Sequence, residues 1–308
     1  MRIYRDWAGL EPGDRGASVA MGNFDGLHLG HQAVIDQARR QGAPLGVITF
    51  EPHPREFFAP GAPPFRLMNA EARTHRLEKL GVARLYELPF TAALAGMEAE
   101  TFVTDVLATG LGIAHVTVGA DFCFGKGRKG TTDTLRSMGA ALGFGVTIAD
   151  LVALDGVEIS STAIRAALGE GRPRDAARML GHWHRIEGEV LHGEKRGRTL
   201  GFPTANMALG GLHLPRLGVY AVKVDVLTGP RAGSYGGAAS LGVRPMFGGN
   251  TPNLETFIFG FSGDLYGEHL SVALVDYLRP EMKFDGLDAL IAQMNADCDR
   301  ARATLEAL

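Results

Sequence analysis

Residues 18–32 read SVAMGNFDGLHLGHQ. The apolar run 18–21 predicts a short strand, the stretch rich in Gly, Asn and Asp after it predicts a turn, and a helical pattern opens near Gly30. Gly22 and Gly26 let backbone amides approach an anion without Cβ hindrance, and the opening helix aims unpaired N–H groups and its positive dipole end at the same place. His28 and His31 are three apart, so both rings can face one point beside that helix end. Two imidazole donors there suit a phosphate that gains charge in a transition state. A zinc pair is the competing reading, but it needs a third ligand at metal spacing, and the nearby Asp25 is a poor candidate.

The chain has 308 residues, enough for two domains at about 150 residues each. Charge is nearly balanced, with 31 Lys plus Arg against 34 Asp plus Glu, so no basic field argues for nucleic acid or an anionic membrane as partner. Cys123 and Cys298 lie far apart, which excludes a thiolate zinc cluster and gives no disulfide framework. The opening residues MRIYRDWAGLE lack the apolar core of a signal peptide, and no apolar stretch reaches the roughly 20 residues that span a bilayer. The expectation is a soluble cytoplasmic protein acting on small molecules.

From 18 to about 148, short apolar runs alternate with helical patterns. Residues 45–50, 83–88, 115–118 and 145–148 read as strands. Helices are expected over 30–40, from a cap at Asn69 to Gly81, over 97–109, and from Thr131 or Thr132 to Gly143. Such alternation predicts a doubly wound parallel α/β sheet, with ligands beyond the carboxyl ends of its strands. Three further segments fall at such places. In 49–54, TFEPHP, two prolines are expected to hold the backbone extended beside the cleft, where His53 could meet substrate or simply face water. In 118–130, VGADFCFGKGRKG, Phe122 and Phe124 could stack a flat ring or fill the core. The last six residues of that segment also match GxGxxG, with Asp150 downstream, the pattern of a dinucleotide turn. In 159–165, ISSTAIR, Ser160 or Ser161 caps a helix that gathers hydroxyls, amides and Arg165 where an anion would be welcome.

Residues 169–182 are polar, carry a short helix and mark the boundary between domains 1–180 and 181–308. Beyond them, 185–192, 218–227, 236–241, 254–261 and 269–278 read as strands between Gly and Pro turns, and a compact antiparallel barrel closes such runs without exposed edges. In the final helix Leu287, Leu290, Ile291, Met294, Cys298, Ala301 and Leu305 form one apolar stripe that is expected to pack on the core. Within this half, 197–206 reads GRTLGFPTAN. Thr204 and Asn206 offer oxygen ligands for Mg²⁺, a hard cation that fills its other positions with water and phosphate. Gly201 leaves room for a nucleotide, although an ordinary loop is the plainer reading.

The first half resembles bacterial FAD synthetases, through the GNFDGxHxGH stretch and ISSTxIR about 130 residues later. The second resembles riboflavin kinases, through GxPTAN followed by GVY at 218–220, RP at Arg244 and Pro245, LYG at 265–267 and RPEMKF at 279–284. The chain as a whole is similar to the bacterial bifunctional riboflavin kinase/FAD synthetase family. The resemblance implies that riboflavin is phosphorylated by ATP to FMN, and that FMN is adenylylated by a second ATP to FAD with release of pyrophosphate. It implies that Gly22, Asn23, Phe24, Asp25, Gly26, His28, Gly30, His31, Ser160, Ser161, Thr162 and Arg165 bind the adenylyltransferase ATP, with His28 and His31 catalytic and Arg165 a planar fork on the phosphates. Pro54, Asp121, Phe122 and Phe124 would then face the flavin. Gly201, Pro203, Thr204 and Asn206 would hold ATP and Mg²⁺ in the kinase. Glu255 matches the family's general base, a role that suits a carboxylate beside a poorly nucleophilic alcohol; by spacing alone it is equally an outward charge on an alternating strand. Ser240, Met246 and Gly260 depart from the kinase pattern, where Asn, Thr and Asp are common, and these departures bear on kinase rate and flavin contacts. Two other readings are a different HxGH adenylyltransferase, acting on pantetheine phosphate or nicotinamide mononucleotide, and a flavin or NAD binding protein without turnover. GxPTAN speaks against the former.

Overall fold

Apolar runs that alternate with amphipathic helices must bury both faces of a sheet, and the first half of the chain does so. The computed structural model describes residues 1–150, 153–154, 157–193, 197, 200–246 and 249–308. It divides into two compact units, Met1–Pro63 with Arg73–Ile159, and Pro64–Ala72 with Ser160–Leu308.

The first unit holds strands β1 (Arg2–Tyr4), β2 (Ser18–Met21), β3 (Leu45–Glu51), β4 (Arg84–Pro89), β5 (His115–Gly119) and β6 (Gly145–Ala149) in the order β1-β4-β3-β2-β5-β6, all pairs parallel. It is the expected doubly wound sheet. β2 pairs with β3 on one side and β5 on the other, so the strand order reverses beside β2, and the crevice outside its carboxyl end is where such a sheet takes a ligand. All four residues of β2 are buried. Helix α1 (Leu29–Gln37) packs against β2, β5 and β6; it begins one residue before the expected start and stops three before the expected end.

Three other expectations change. Pro54 does not extend the chain but opens a short helix, α2 (Pro54–Phe58), where its missing N–H costs nothing. The helix foreseen over 97–109 begins at Ala99 and, from Phe102 to Gly110, winds as a π-helix; Leu111 N–H reaches back to the Val106 carbonyl. The edge strand β1 was not foreseen, being only three residues long and partly exposed. Thr131 caps the helix Thr132–Leu142 and Gly143 ends it in left-handed backbone, as expected.

In the second unit the expected barrel is a six-stranded antiparallel sheet. It comprises β7 (His184–Glu189), β8 (Thr204–Ala208), β9 (Gly218–Val226), β10 (Gly233–Met246), β11 (Gly249–Ile258) and β12 (His269–Arg279), in the order β8-β11-β10-β9-β12-β7. A bridge between Leu191, just past β7, and Asn206 joins the two ends of that order, so the sheet curls closed. Alternation sorts β9 cleanly: Tyr220, Val222, Val224 and Val226 enter the inner core, while Val219 and Ala221 join a second apolar layer with Cys298 and Ala301 of the terminal helix, Leu287–Glu306. Cys298 and Ala301 confirm the middle of the predicted stripe, with Ile291 and Met294 against the same layer. Leu287, at the first helical turn, is 56% exposed and does not. Segment Pro64–Ala72 belongs here because Leu67 packs with Ile164, Ala167 and Leu168, which lie on the helix Ser161–Gly169.

Leu274 is fully buried in the inner core. Leu274→Ala is therefore expected to cost about 2–5 kcal/mol, and Leu287→Ala to stay within about 0.5 kcal/mol. Thermal unfolding followed by circular dichroism checks both.

Candidate functional sites

The turn after β2 is made of backbone that side chains rarely tolerate. Phe24 has φ 52°, Leu27 φ 47° and Gly26 φ 89°, and Phe24, Asp25, Leu27 and His28 are all buried. A buried turn held in left-handed backbone stores strain that the surrounding packing must sustain, a recurrent mark of a ligand site. Asn23, at the turn's exposed outer edge, presents its carbonyl to the Thr49 hydroxyl at 3.2 Å.

His28 is the N-cap of α1: its Nδ1 accepts the His31 N–H at 3.3 Å. That bond fixes the neutral ring as the Nε2–H tautomer, which makes Nε2 a donor. The two rings stack at 3.6 Å between centroids and 19° between planes, so the pair does converge on one helix end. His31 Nδ1 is buried without a hydrogen-bond partner, and burial, with His28 beside it, pushes the imidazole well below its ordinary range. Gly30 is required by this packing. A Cβ there would lie 3.1 Å from His28 Nδ1 and 3.9 Å from the Ile159 carbonyl, so the residue just before Ser160 reaches the same helix end.

Ser160 caps the helix Ser161–Gly169 through the Ala163 N–H at 3.2 Å. Arg165, on its first turns, donates from Nε to the Phe65 carbonyl at 2.6 Å, with its guanidinium over the Phe65 ring. Ser160, Ser161, Thr162 and Arg165 all belong to the second unit, whereas the histidine turn belongs to the first.

The segment after β5 overturns the dinucleotide reading. Phe124 and Gly130 exchange both backbone hydrogen bonds, at 3.0 and 2.9 Å, so the loop is closed on itself and the Gly130 N–H is taken. Cβ atoms at Gly125 and Gly130 would each fall 2.7 Å from Ala99 atoms. These glycines serve packing. Phe124 is buried in the core, stacked on the half-buried Phe122, while Asp121 is exposed.

Pro54 sits at the first position of α2, whose last residue, Phe58, is 67% exposed and edge-on to Phe57 and Phe90. Sequence reading passed over Phe58; the FF pair within PREFF was the available signal. His53 caps this helix, its Nδ1 accepting the Arg55 N–H at 3.0 Å.

In the second unit register builds the site. Asn206 of β8 stands opposite Glu255 of β11, and Ser240 of β10 stands opposite Glu255 on its other side. With a period of two, Thr204, Asn206, Asn253 and Glu255 share one sheet face, away from the inner core that takes Ala205, Met207, Leu254 and Ile258. GxPTAN therefore ends in a strand rather than a loop. Asn253 Nδ2 donates to Asn206 Oδ1 at 3.1 Å and to Glu255 Oε1 at 3.3 Å, tying the row together; it too was passed over, for want of any motif. Two cavities meet here. One, of about 260 Å³, is lined by Thr204, Ser240, Glu255, Arg279, Phe284 and Cys298 under the terminal helix; the other, of about 350 Å³, by Pro203, Thr204, Thr256, Phe261, Asp264 and Tyr266. Thr204 belongs to both. Burial raises the Cys298 thiol to about 11, so it contributes an apolar wall. Gly201 turns the chain into β8 with φ 85°, Gly260 lies in left-handed backbone at φ 66°, and the side chain of Met246 falls outside the described residues.

A strained, buried turn with two stacked histidines lies at the switch point of a parallel sheet, and a row of polar side chains lies beside two cavities of a curled sheet, so the chain has the two separate centres of a two-domain enzyme. Family models match accordingly, FAD synthetase over residues 10–163 and riboflavin kinase over residues 180–305. The bifunctional riboflavin kinase/FMN adenylyltransferase of Pseudomonas fluorescens is 43% identical, over 98% of this chain and 97% of its own, and that of Bacillus subtilis is 36% identical over 92% and 90%. A crystal structure from Streptococcus pneumoniae, described as a macrolide-efflux protein, superposes with a TM-score of 0.82 at 32% identity over 98% of both chains. The chain belongs to the bifunctional riboflavin kinase/FMN adenylyltransferase family. Among the described residues no helix is long and apolar enough to cross a membrane.

Because the fold keeps His31 neutral, the unfolded chain binds more protons below pH 6.5, and stability falls as pH drops from there toward the folded-state value. The expected slope is up to about 1.4 kcal/mol per pH unit. His31→Gln should flatten that part of the melting-temperature profile, as read by calorimetry from pH 7 downward.

Proposed function

We propose that residues 1–180 carry FMN adenylylation and residues 181–308 carry riboflavin phosphorylation, with ATP as co-substrate of both. The observation that carries the kinase assignment is Thr204, which lines both cavities while Glu255 lines only the one under the terminal helix. Riboflavin occupies that apolar cavity with its terminal hydroxyl toward Glu255, and ATP occupies the other with its phosphates toward Thr204. The Glu255 carboxylate accepts the hydroxyl proton as the oxygen attacks the γ phosphorus, and ADP leaves.

Thr204 Oγ1 and Asn206 Oδ1 are neutral hard donors, and Asn206 is held in place by Asn253. So sparse an oxygen set fits Mg²⁺, which takes its other ligands from phosphate and water. When bound, the ion would neutralise charge developing on the β and γ phosphates. Gly201 and Pro203 shape the strand entry beside it.

Adenylylation asks for less base and more alignment, since the FMN phosphate is already an anion. Its oxygen attacks the α phosphorus of ATP and pyrophosphate departs. Gly22, Asn23, Phe24, Asp25, Gly26 and Gly30 form the turn and helix end that receive the phosphates. The Nε2–H of His28 and the neutral ring of His31 donate to the oxygens as charge builds. The family resemblance also assigns Ser160, Ser161, Thr162 and Arg165 to ATP binding, and they gather on the first turns of their own helix, Ser161–Gly169. Pro54, Phe58, Asp121 and Phe122 line the flavin side, with the exposed Phe58 ring offering the stacking surface; Phe124 supports Phe122 from the core. Two cysteines without a partner accord with a reduced cytoplasm.

In full-length protein, His28→Ala is expected to lower FAD formation from FMN about 10²–10³-fold while FMN formation from riboflavin continues. Glu255→Ala should lower FMN formation about 10²–10⁴-fold and leave adenylylation of added FMN intact. Separate initial-rate assays of the two products check the division; equal loss of both in either variant contradicts it.

A further inference from the structure

Arg73 is 1% exposed, and the fold surrounds it with carboxylates. One amino group, NH2, lies 2.9 Å from Glu51 Oε2 and 2.7 Å from Glu87 Oε2, and Arg5 Nε approaches the other oxygen of Glu87 at 3.4 Å. Arg5, Arg73, Glu51 and Glu87 thus form an ion-pair network over the carboxyl ends of β3 and β4. A buried arginine between two acids is costly to assemble and worse to leave half paired, so a purely apolar contact would hold these strands more cheaply. Its position explains the expense. Glu51 is the last residue of β3, and its carbonyl accepts the Phe90 N–H at 2.9 Å. The next residues are Pro52, the helix-capping His53, and the helix that carries Pro54 and Phe58. Phe90 in turn meets Phe50, Phe57 and Phe58 edge-on, so the aromatic cluster hangs from the same strand ends that Arg73 ties together.

We propose that Arg73 is a positioning residue for the flavin subsite of the adenylyltransferase, acting through Glu51 to fix the segment that bears Pro54 and Phe58. The proposal rests on the reading of that segment as the FMN side of the site. Arg73 touches no substrate; its amino group, held by Glu87 of the neighbouring strand, sets where the chain leaves β3 through Glu51. A ring that must stack on a flavin gains from being held before the ligand arrives, because ordering it afterwards costs affinity.

The test uses full-length protein and steady-state adenylylation of FMN, with the riboflavin kinase activity of the same molecules reporting that they are folded. Glu51→Ala and Arg73→Lys are expected to raise KM for FMN about ten- to a hundredfold, with KM for ATP and the kinase constants unchanged. Glu51→Gln, which keeps an acceptor for Arg73, should restore most of the loss. Glu87→Gln, which leaves the Arg73–Glu51 link, should lower the melting temperature without moving KM for FMN. Phe58→Ala tests the underlying reading separately. If Phe58→Ala raises KM for FMN but Glu51→Ala and Arg73→Lys do not, Arg73 is only a structural residue and the proposal fails. If Phe58→Ala also leaves KM unchanged, the segment does not face the flavin and both readings fall. Should Arg73→Lys lose kinase activity through misfolding, the contrast between Glu51→Ala and Glu51→Gln decides the matter alone.

Discussion

Backbone hydrogen bonds between strands set the registers, and the registers decide which side chains can meet. In the second unit, pairing of Asn206 with Glu255 and of Glu255 with Ser240 places three polar side chains in a row across three strands. A slip of one residue would turn Glu255 into the apolar core and bring Leu254 or Thr256 out in its place. In the first unit the parallel pairing of β2 with both β3 and β5 creates the reversal of strand order at whose edge the histidine turn lies. Each centre is a consequence of sheet geometry before it is a consequence of any one side chain.

The two centres solve different problems with different means. Attack by an alcohol needs a base; on the proposed reading that is the Glu255 carboxylate on the outer face of the curled sheet, to which Asn253 donates a hydrogen bond. Attack by a phosphate needs a welcoming field; on the proposed reading it comes from a helix end, a strained buried turn and two stacked imidazoles, of which burial keeps His31 neutral. Joining them in one chain needs no shared residues, which is why the activities should separate under mutation. The product of the kinase is the substrate of the adenylyltransferase, so one chain carries two consecutive steps.

Much of this was legible from residues alone where local chemistry and tertiary fate agree. Gly30 between two histidines, Thr131 and Gly143 as helix ends, and the alternation of residues 218–226 each carry their structure in their spacing. Legibility failed where distant contacts decide. Thr204–Ala208 is a strand because it pairs with β11 about fifty residues later, not because TAN favours extension. Pro64–Ala72 joins the second unit through Leu67, whose partners lie about a hundred residues on. The GxGxxG match is a chance one, because Gly125 and Gly130 make room for Ala99, a contact no local pattern announces. Phe58 and Asn253 went unnoticed because an exposed ring and a buried amide acquire meaning only from their neighbours.

The central claim is that one chain performs two chemically distinct transfers in sequence. Incubation with riboflavin, ATP and Mg²⁺, with every flavin and nucleotide product quantified over time, tests it directly. The account predicts that FMN forms first with one ADP, and that each FAD then appears with one pyrophosphate and consumes a second ATP. FMN accumulating without pyrophosphate, or FAD arising only from supplied FMN, would contradict it.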